Sequence, residues 1–176
     1  MKTILAIVIG VHAIALLSAC AEEGEPRPPA AASAATTMAS LVAFARSPSD
    51  ASWRNVPFAE TVELGLADDL IVERTAQELR DPGHWTIAVS LFRGRSATVS
   101  ALEMIATEQG MLTQSEGEHP HCASPAPVPP PPSVARLRRI WVQPADPDGC
   151  LDWWTVDAFV NSDGEIEAVT LDLWEP

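Results

Sequence analysis

The chain has 176 residues and a net charge of −13, and Lys2 is its only lysine. That length suits one domain, and the roughly 140 residues left after a leader and a stalk are enough to bury a core. An acidic surface without basic clusters repels phosphate backbones, which argues against nucleic acid as a partner; it also repels anionic headgroups, so residence at a membrane would need a tether.

Met1 and Lys2 give a positive start, and residues 3–17 are almost entirely apolar apart from His12. As a helix that stretch would rise about 22 Å, short of the ~30 Å hydrocarbon core of a bilayer. Residues 1–19 therefore read as a signal peptide rather than a permanent span. The leader closes on Leu17-Ser18-Ala19-Cys20, which resembles the lipobox of bacterial lipoproteins: an aliphatic residue, two small residues and a cysteine. The resemblance implies a diacylglyceryl thioether on Cys20, cleavage just before it, and acylation of the new amino group, for example with palmitate. Two or more acyl chains make anchoring stable, whereas one gives only marginal binding. Ala19 and Ala21 also form an A-x-A pattern, so ordinary cleavage and secretion is one alternative and an uncleaved anchor the other. The expected address is the cell membrane or outer membrane, lipid-anchored on the extracytoplasmic side.

Residues 20–36, the lipidated cysteine and a run rich in Ala, Pro and Glu, carry no large apolar side chain and predict a flexible stalk. A single globular domain is expected over residues 37–176. Met38, Leu41, Val42 and Ala45 recur at helical spacing behind a Thr36 or Thr37 cap, and Pro48 ends that helix. Trp53, Val56 and Phe58 fall in a short irregular segment. Val62, Leu64 and Leu66 alternate along a strand that turns at 67–69 into a hairpin partner over 70–74. Thr75 and Glu78 fit a capping box for a brief helix stopped by Pro82-Gly83, and Ser100 and Glu103 fit another for a helix ending at Gly110. Between them Trp85, Ile87, Val89 and Leu91 alternate as a strand, and a short strand is expected over 111–114. After a proline-rich loop, strands are expected over 134–143, 150–160 and 166–174, the last two joined by Asn161-Ser162-Asp163-Gly164-Glu165, a strong hairpin signal.

With Cys20 occupied by lipid, Cys122 and Cys150 remain, and an even remainder in an oxidising compartment predicts one disulfide. Closing that loop would stabilise the fold by roughly 3 kcal/mol; two free thiols are the alternative. His119 and His121 beside Cys122, with Cys150 as a fourth ligand, have the residue types of a zinc or copper site. A free Cys122 near either histidine would be a candidate thiol nucleophile. The disulfide would remove both chemistries, so no metal and no cofactor is expected. Asp146, Asp148 and Asp152 around Gly149 lack calcium-loop spacing and read as a turn. Asp157 and Asp172 lie on the last two strands, where they would either oppose each other as an acid/base pair or form the polar face of a half-exposed sheet. Of six tryptophans, Trp153 and Trp154 are adjacent on a strand and point to opposite faces. One of them is thus a candidate for a ligand-binding or partner surface.

The element order predicts an α+β domain: an antiparallel sheet of about five to seven strands with two or three helices on one face. Helices followed by a curved antiparallel sheet also resemble the NTF2-like cone, a fold that hosts both binders and enzymes. The expected function is a membrane-tethered lipoprotein domain that binds an envelope protein or a small apolar ligand without catalysis, with Trp153, Trp154, Asp157 and Asp172 as candidate contacts. The alternative is an envelope hydrolase or isomerase using the Asp157 and Asp172 carboxylates in an NTF2-like pocket.

Overall fold

Ser33 starts the first helix: its hydroxyl accepts a hydrogen bond from the Thr36 amide (3.2 Å). Helix α1 then spans Ala34–Arg46 and buries Ala34, Thr37, Met38, Leu41, Phe44 and Ala45 along one stripe, the spacing of a single helical face. This computed structural model describes residues 33–91, 95–119, 121–122 and 126–173. The expected signal peptide, Cys20, residues 21–32 of the expected stalk, and the terminal Trp174 and Glu175 lie outside those residues. The domain begins earlier than its composition suggested. Residues 34–36, expected in the stalk, form the first turn of α1, because Ala34 packs into the core and Ser33 caps the helix.

A second helix, α2 (Asp50–Arg54), opens with a reciprocal Ser49–Ser52 capping box, a short signal hidden in what read as an irregular segment. Its Trp53 indole donates to the Ala76 carbonyl (3.1 Å). Strands β1 (Phe58–Leu66) and β2 (Asp69–Thr75) form the expected hairpin. Thr75 and Glu78 cap each other as expected, and the Thr75 amide and hydroxyl hold the exposed Glu78 carboxyl below its usual pKa. The helix they open is only a 3-10 turn, Glu78–Arg80, because Asp81-Pro82 follows at once. Strands β3 (Thr86–Leu91) and β4 (Arg95–Ser100) pair as a separate two-stranded sheet. Helix α3 (Ala101–Thr107), capped by Ser100, stops one turn short of Gly110. Strands β5 (Leu112–Glu116), β6 (Arg138–Pro144), β7 (Trp154–Val160) and β8 (Ile166–Leu173) complete the fold.

The main sheet has six strands in the order β2-β1-β8-β7-β6-β5. Every neighbouring pair is antiparallel except β1 and β8, which run parallel, so the α+β sheet is mostly but not wholly antiparallel. Helices α1 and α3 pack on one face. There Met38, Leu41, Phe44 and Ile105 meet Ile140, Val142, Val156, Ala158, Val169 and Leu171 in one core that also takes in Trp85, Ile87 and Val89. The Trp85 ring tilts against Phe44 and Phe58 at centroid distances of 6.4 and 5.9 Å, and its indole donates to the Leu79 carbonyl (2.8 Å). Thr37, fully buried, ties α1 to the last hairpin by donating to the Gly164 carbonyl (2.9 Å). Among the described residues no helix is long and apolar enough to cross a membrane.

The β1–β2 hairpin is irregular between Leu64 and Gly65, where the Asp69 carbonyl passes so close that a Cβ on residue 65 would lie 2.1 Å from its oxygen. Gly65→Ala is expected to lower stability by about 1–3 kcal/mol, since backbone rather than a flexible side chain must move. The urea midpoint at constant slope measures it.

Candidate functional site

The helix-free face of the sheet is where the polar residues gather. Strand alternation sends Ile140, Val142, Val156, Ala158, Val169 and Leu171 to the helices and therefore sends Arg139, Trp141, Thr155, Asp157, Phe159, Ala168, Thr170 and Asp172 to the other side. A half-exposed sheet would leave that side wet. Here all seven residues of β7 are buried, and Asp157, Thr155 and Thr170 are fully inaccessible. The cover is the proline-rich connection between β5 and β6, residues 117–137, whose described parts form a strap. Cys122 and Cys150 are joined by the expected disulfide, which fixes the strap to the loop before β7. Val134 of the strap packs on Phe159 and Ala168 in a second, smaller apolar cluster.

Under the strap lies a charged network. Arg139 clasps Asp157 with a two-pronged hydrogen bond, Nε to Oδ1 and Nη2 to Oδ2, both 2.8 Å. Its remaining prong, Nη1, donates to the Val128 carbonyl of the strap (2.6 Å), and its guanidinium sits 5.8 Å from the Phe159 ring centre. Thr170 donates to Asp157 Oδ2 (3.3 Å). The fully buried His119 brings Nε2 to 3.1 Å from Asp157 Oδ2 and 2.7 Å from Arg139 Nη2. That nitrogen serves one partner at a time: carrying a proton it donates to the carboxylate, and without one it accepts from the guanidinium. Burial alone would push the Asp157 carboxyl up. Hydrogen bonds from His119 and Arg139, together with their charges, outweigh it and hold Asp157 below the ordinary value of 3.8.

A group with a lowered folded pKa stabilises the fold above its unfolded value, and that contribution disappears as pH falls through the folded one. Between neutrality and about pH 4 the Asp157 contribution should therefore be constant, and below that it should drain away. Asp157→Asn is expected to flatten the acid limb of the unfolding free energy. Equal acid slopes for parent and variant in urea titrations would contradict it.

His121, the next histidine along the strap, holds Asp172 with Nδ1 3.0 Å from Oδ2. Asp172 is buried and His121 about a third exposed. Trp153 stands beside both imidazoles, 6.2 Å from His119 and 5.1 Å from His121, the latter edge-on. Trp141 meets His119 edge-on at 5.8 Å, and its indole nitrogen is buried with no hydrogen-bond partner among the described residues.

Several expectations change in consequence. Asp157 and Asp172 do not oppose each other: Thr170 stands across from Asp157, and Thr155 across from Asp172. Each carboxylate has its own partners, Arg139 and His119 for Asp157 and His121 for Asp172. Trp153 and Trp154 do point to opposite faces, yet both are buried, at 6 % and 3 % exposure, because each face has a cover. The two sulfurs are spent on each other, and the two histidines on two aspartates. Arg139 was not among the expected site residues; the signal for it was an arginine on a strand otherwise reading Ile-Trp-Val, at a position facing away from the helices. No family model, curated protein or solved structure matches the chain.

Proposed function

We propose that this chain is an exported protein, anchored by lipid on Cys20, whose domain is a non-enzymatic binding module of the cell envelope. The observation that carries the reading is the Cys122–Cys150 disulfide. It joins the only two cysteines besides Cys20, and such bonds persist in oxidising, extracytoplasmic compartments. With both accounted for, Cys20 is left as the single cysteine, inside a lipobox-like tetrad. The carboxylate-pair alternative finds no support in the geometry. Asp157 is ionised and fully enclosed with Arg139 and His119, and a general acid or base must reach a substrate proton. The charged network is thus read as the fastening of the strap, and the partner, a protein or small apolar ligand of the envelope, as binding outside it.

The anchor is tested by Cys20→Ser. The parent is expected in the membrane fraction, released by detergent and not by high salt, with the variant either unprocessed or in the soluble extracytoplasmic fraction. A variant that matures and fractionates like the parent removes the lipid from the account.

A further inference from the structure

The two most exposed large apolar side chains among the described residues are Met111, at 81 %, and Leu151, at 77 %. They belong to one end of the domain. The Ala145 amide donates to the Met111 carbonyl (2.8 Å), which ties the loop before β5 to the loop after β6. Met111, Pro144, Ala145 and Pro147 form the apolar part of a groove of about 310 Å³ whose other lining includes Glu108, Asp146, Asp148 and Asp152. Leu151 immediately precedes Asp152 in a 3-10 turn, Cys150–Asp152, whose first residue is held by the disulfide. At the groove's rim Arg46 donates to the Gly110 carbonyl (3.4 Å), and no basic residue is part of the groove's lining. An apolar floor that includes the projecting Met111, with Leu151 next to the lining residue Asp152 and four carboxylates at the border, is complementary to one kind of occupant: apolar side chains flanked by cations. A second copy of this chain, with its own charge of −13, would be repelled.

We infer that this groove is a docking surface for a basic, apolar-centred segment of another envelope protein. Met111 and Leu151 supply apolar contact, and Glu108, Asp146, Asp148 and Asp152 supply orientation and rate of encounter, the usual contribution of charges at an interface rim. The inference rests on the binding-module reading and names the partner class and the surface.

The test is photo-crosslinking in producing cells. It uses the full chain, carrying a photoreactive phenylalanine analogue at position 111 or 151, or, as a reference, at the exposed position 71. The expected result is a discrete adduct from 111 and 151, mapping by mass spectrometry to a segment with Lys or Arg flanking apolar residues. The combined Asp146→Asn, Asp148→Asn and Asp152→Asn variant should lower its yield at least about tenfold. Glu63→Gln with Glu73→Gln, which removes negative charge elsewhere, should leave it unchanged. Asparagine suits these turn positions, and an intact Cys122–Cys150 bond in the variant reports a folded domain. An adduct insensitive to the asparagine variant, or one mapping to a second copy of this chain or to lipid, would overturn the inference. An adduct from position 71 with none from 111 or 151 would overturn the surface and leave the binding module standing. Adducts from none of the three would overturn both.

Discussion

Arg139→Ala is expected to destabilise the domain by about 3–5 kcal/mol, the usual consequence of stranding a buried charge. Asp157 would then keep only Thr170 and His119, and the Val128 carbonyl would lose its donor. Against a total stability of about 5–15 kcal/mol for a domain, such a loss leaves a sizeable unfolded fraction at growth temperature. The neighbouring Arg138 is the control. Its pair with Glu116 is half exposed on both sides, so Arg138→Ala should change stability by no more than about 1 kcal/mol. Replacing Arg139 and Asp157 together with apolar residues of similar volume is expected to recover much of the loss, because no lone charge then remains inside. Denaturant midpoints at constant slope separate the three variants.

The second large effect is expected from the disulfide. Cys122 and Cys150 are 28 residues apart in sequence, and opening a loop of that size should cost about 3 kcal/mol on the chain-entropy model. The same strap carries His119, His121 and Val128 to the sheet, so the disulfide and the charged network support one another. Cys122→Ser with Cys150→Ser, combined with Arg139→Ala, is therefore expected to be less damaging than the two effects added. A coupling of about 0.5–3 kcal/mol is the range for groups that share partners. Strict additivity would mean that the strap stays in place without its staple and that the network holds it unaided.

The elements most legible in the sequence were those set by local chemistry. The last hairpin followed from alternation around Asn161-Ser162-Asp163-Gly164-Glu165; the Asn161 side chain accepts from the amides of Asp163 and Glu165, closing the turn. The pairing of Cys122 with Cys150 followed from counting sulfurs. Strand β4 escaped notice because Arg-Ser-Ala-Thr-Val-Ser has almost no large apolar residue, and its pairing with β3 decides its conformation. The strand expected over 134–143 begins only at Arg138, because turns closed on Pro131 and Val134 take up the preceding residues.

The network was the least legible part, for a different reason. His119 and Arg139 lie 38 and 18 residues from Asp157, and no local pattern links them. What the sequence did hold was a discord in β7. A strand with one wet face would place polar residues at 155, 157 and 159, and Phe159 breaks that rule. Phe159 is fully buried under Val134, and it was the sign that the second face had a cover of its own.

Export into an oxidising compartment through a processed leader would set the fate of all three cysteines. The most direct measurement is to alkylate intact cells before lysis and then read every cysteine-containing peptide by mass spectrometry. The expected result is a chain beginning at a lipid-modified Cys20, with the peptides of Cys122 and Cys150 linked to each other and unalkylated. An intact leader together with alkylated, unlinked Cys122 and Cys150 would contradict it.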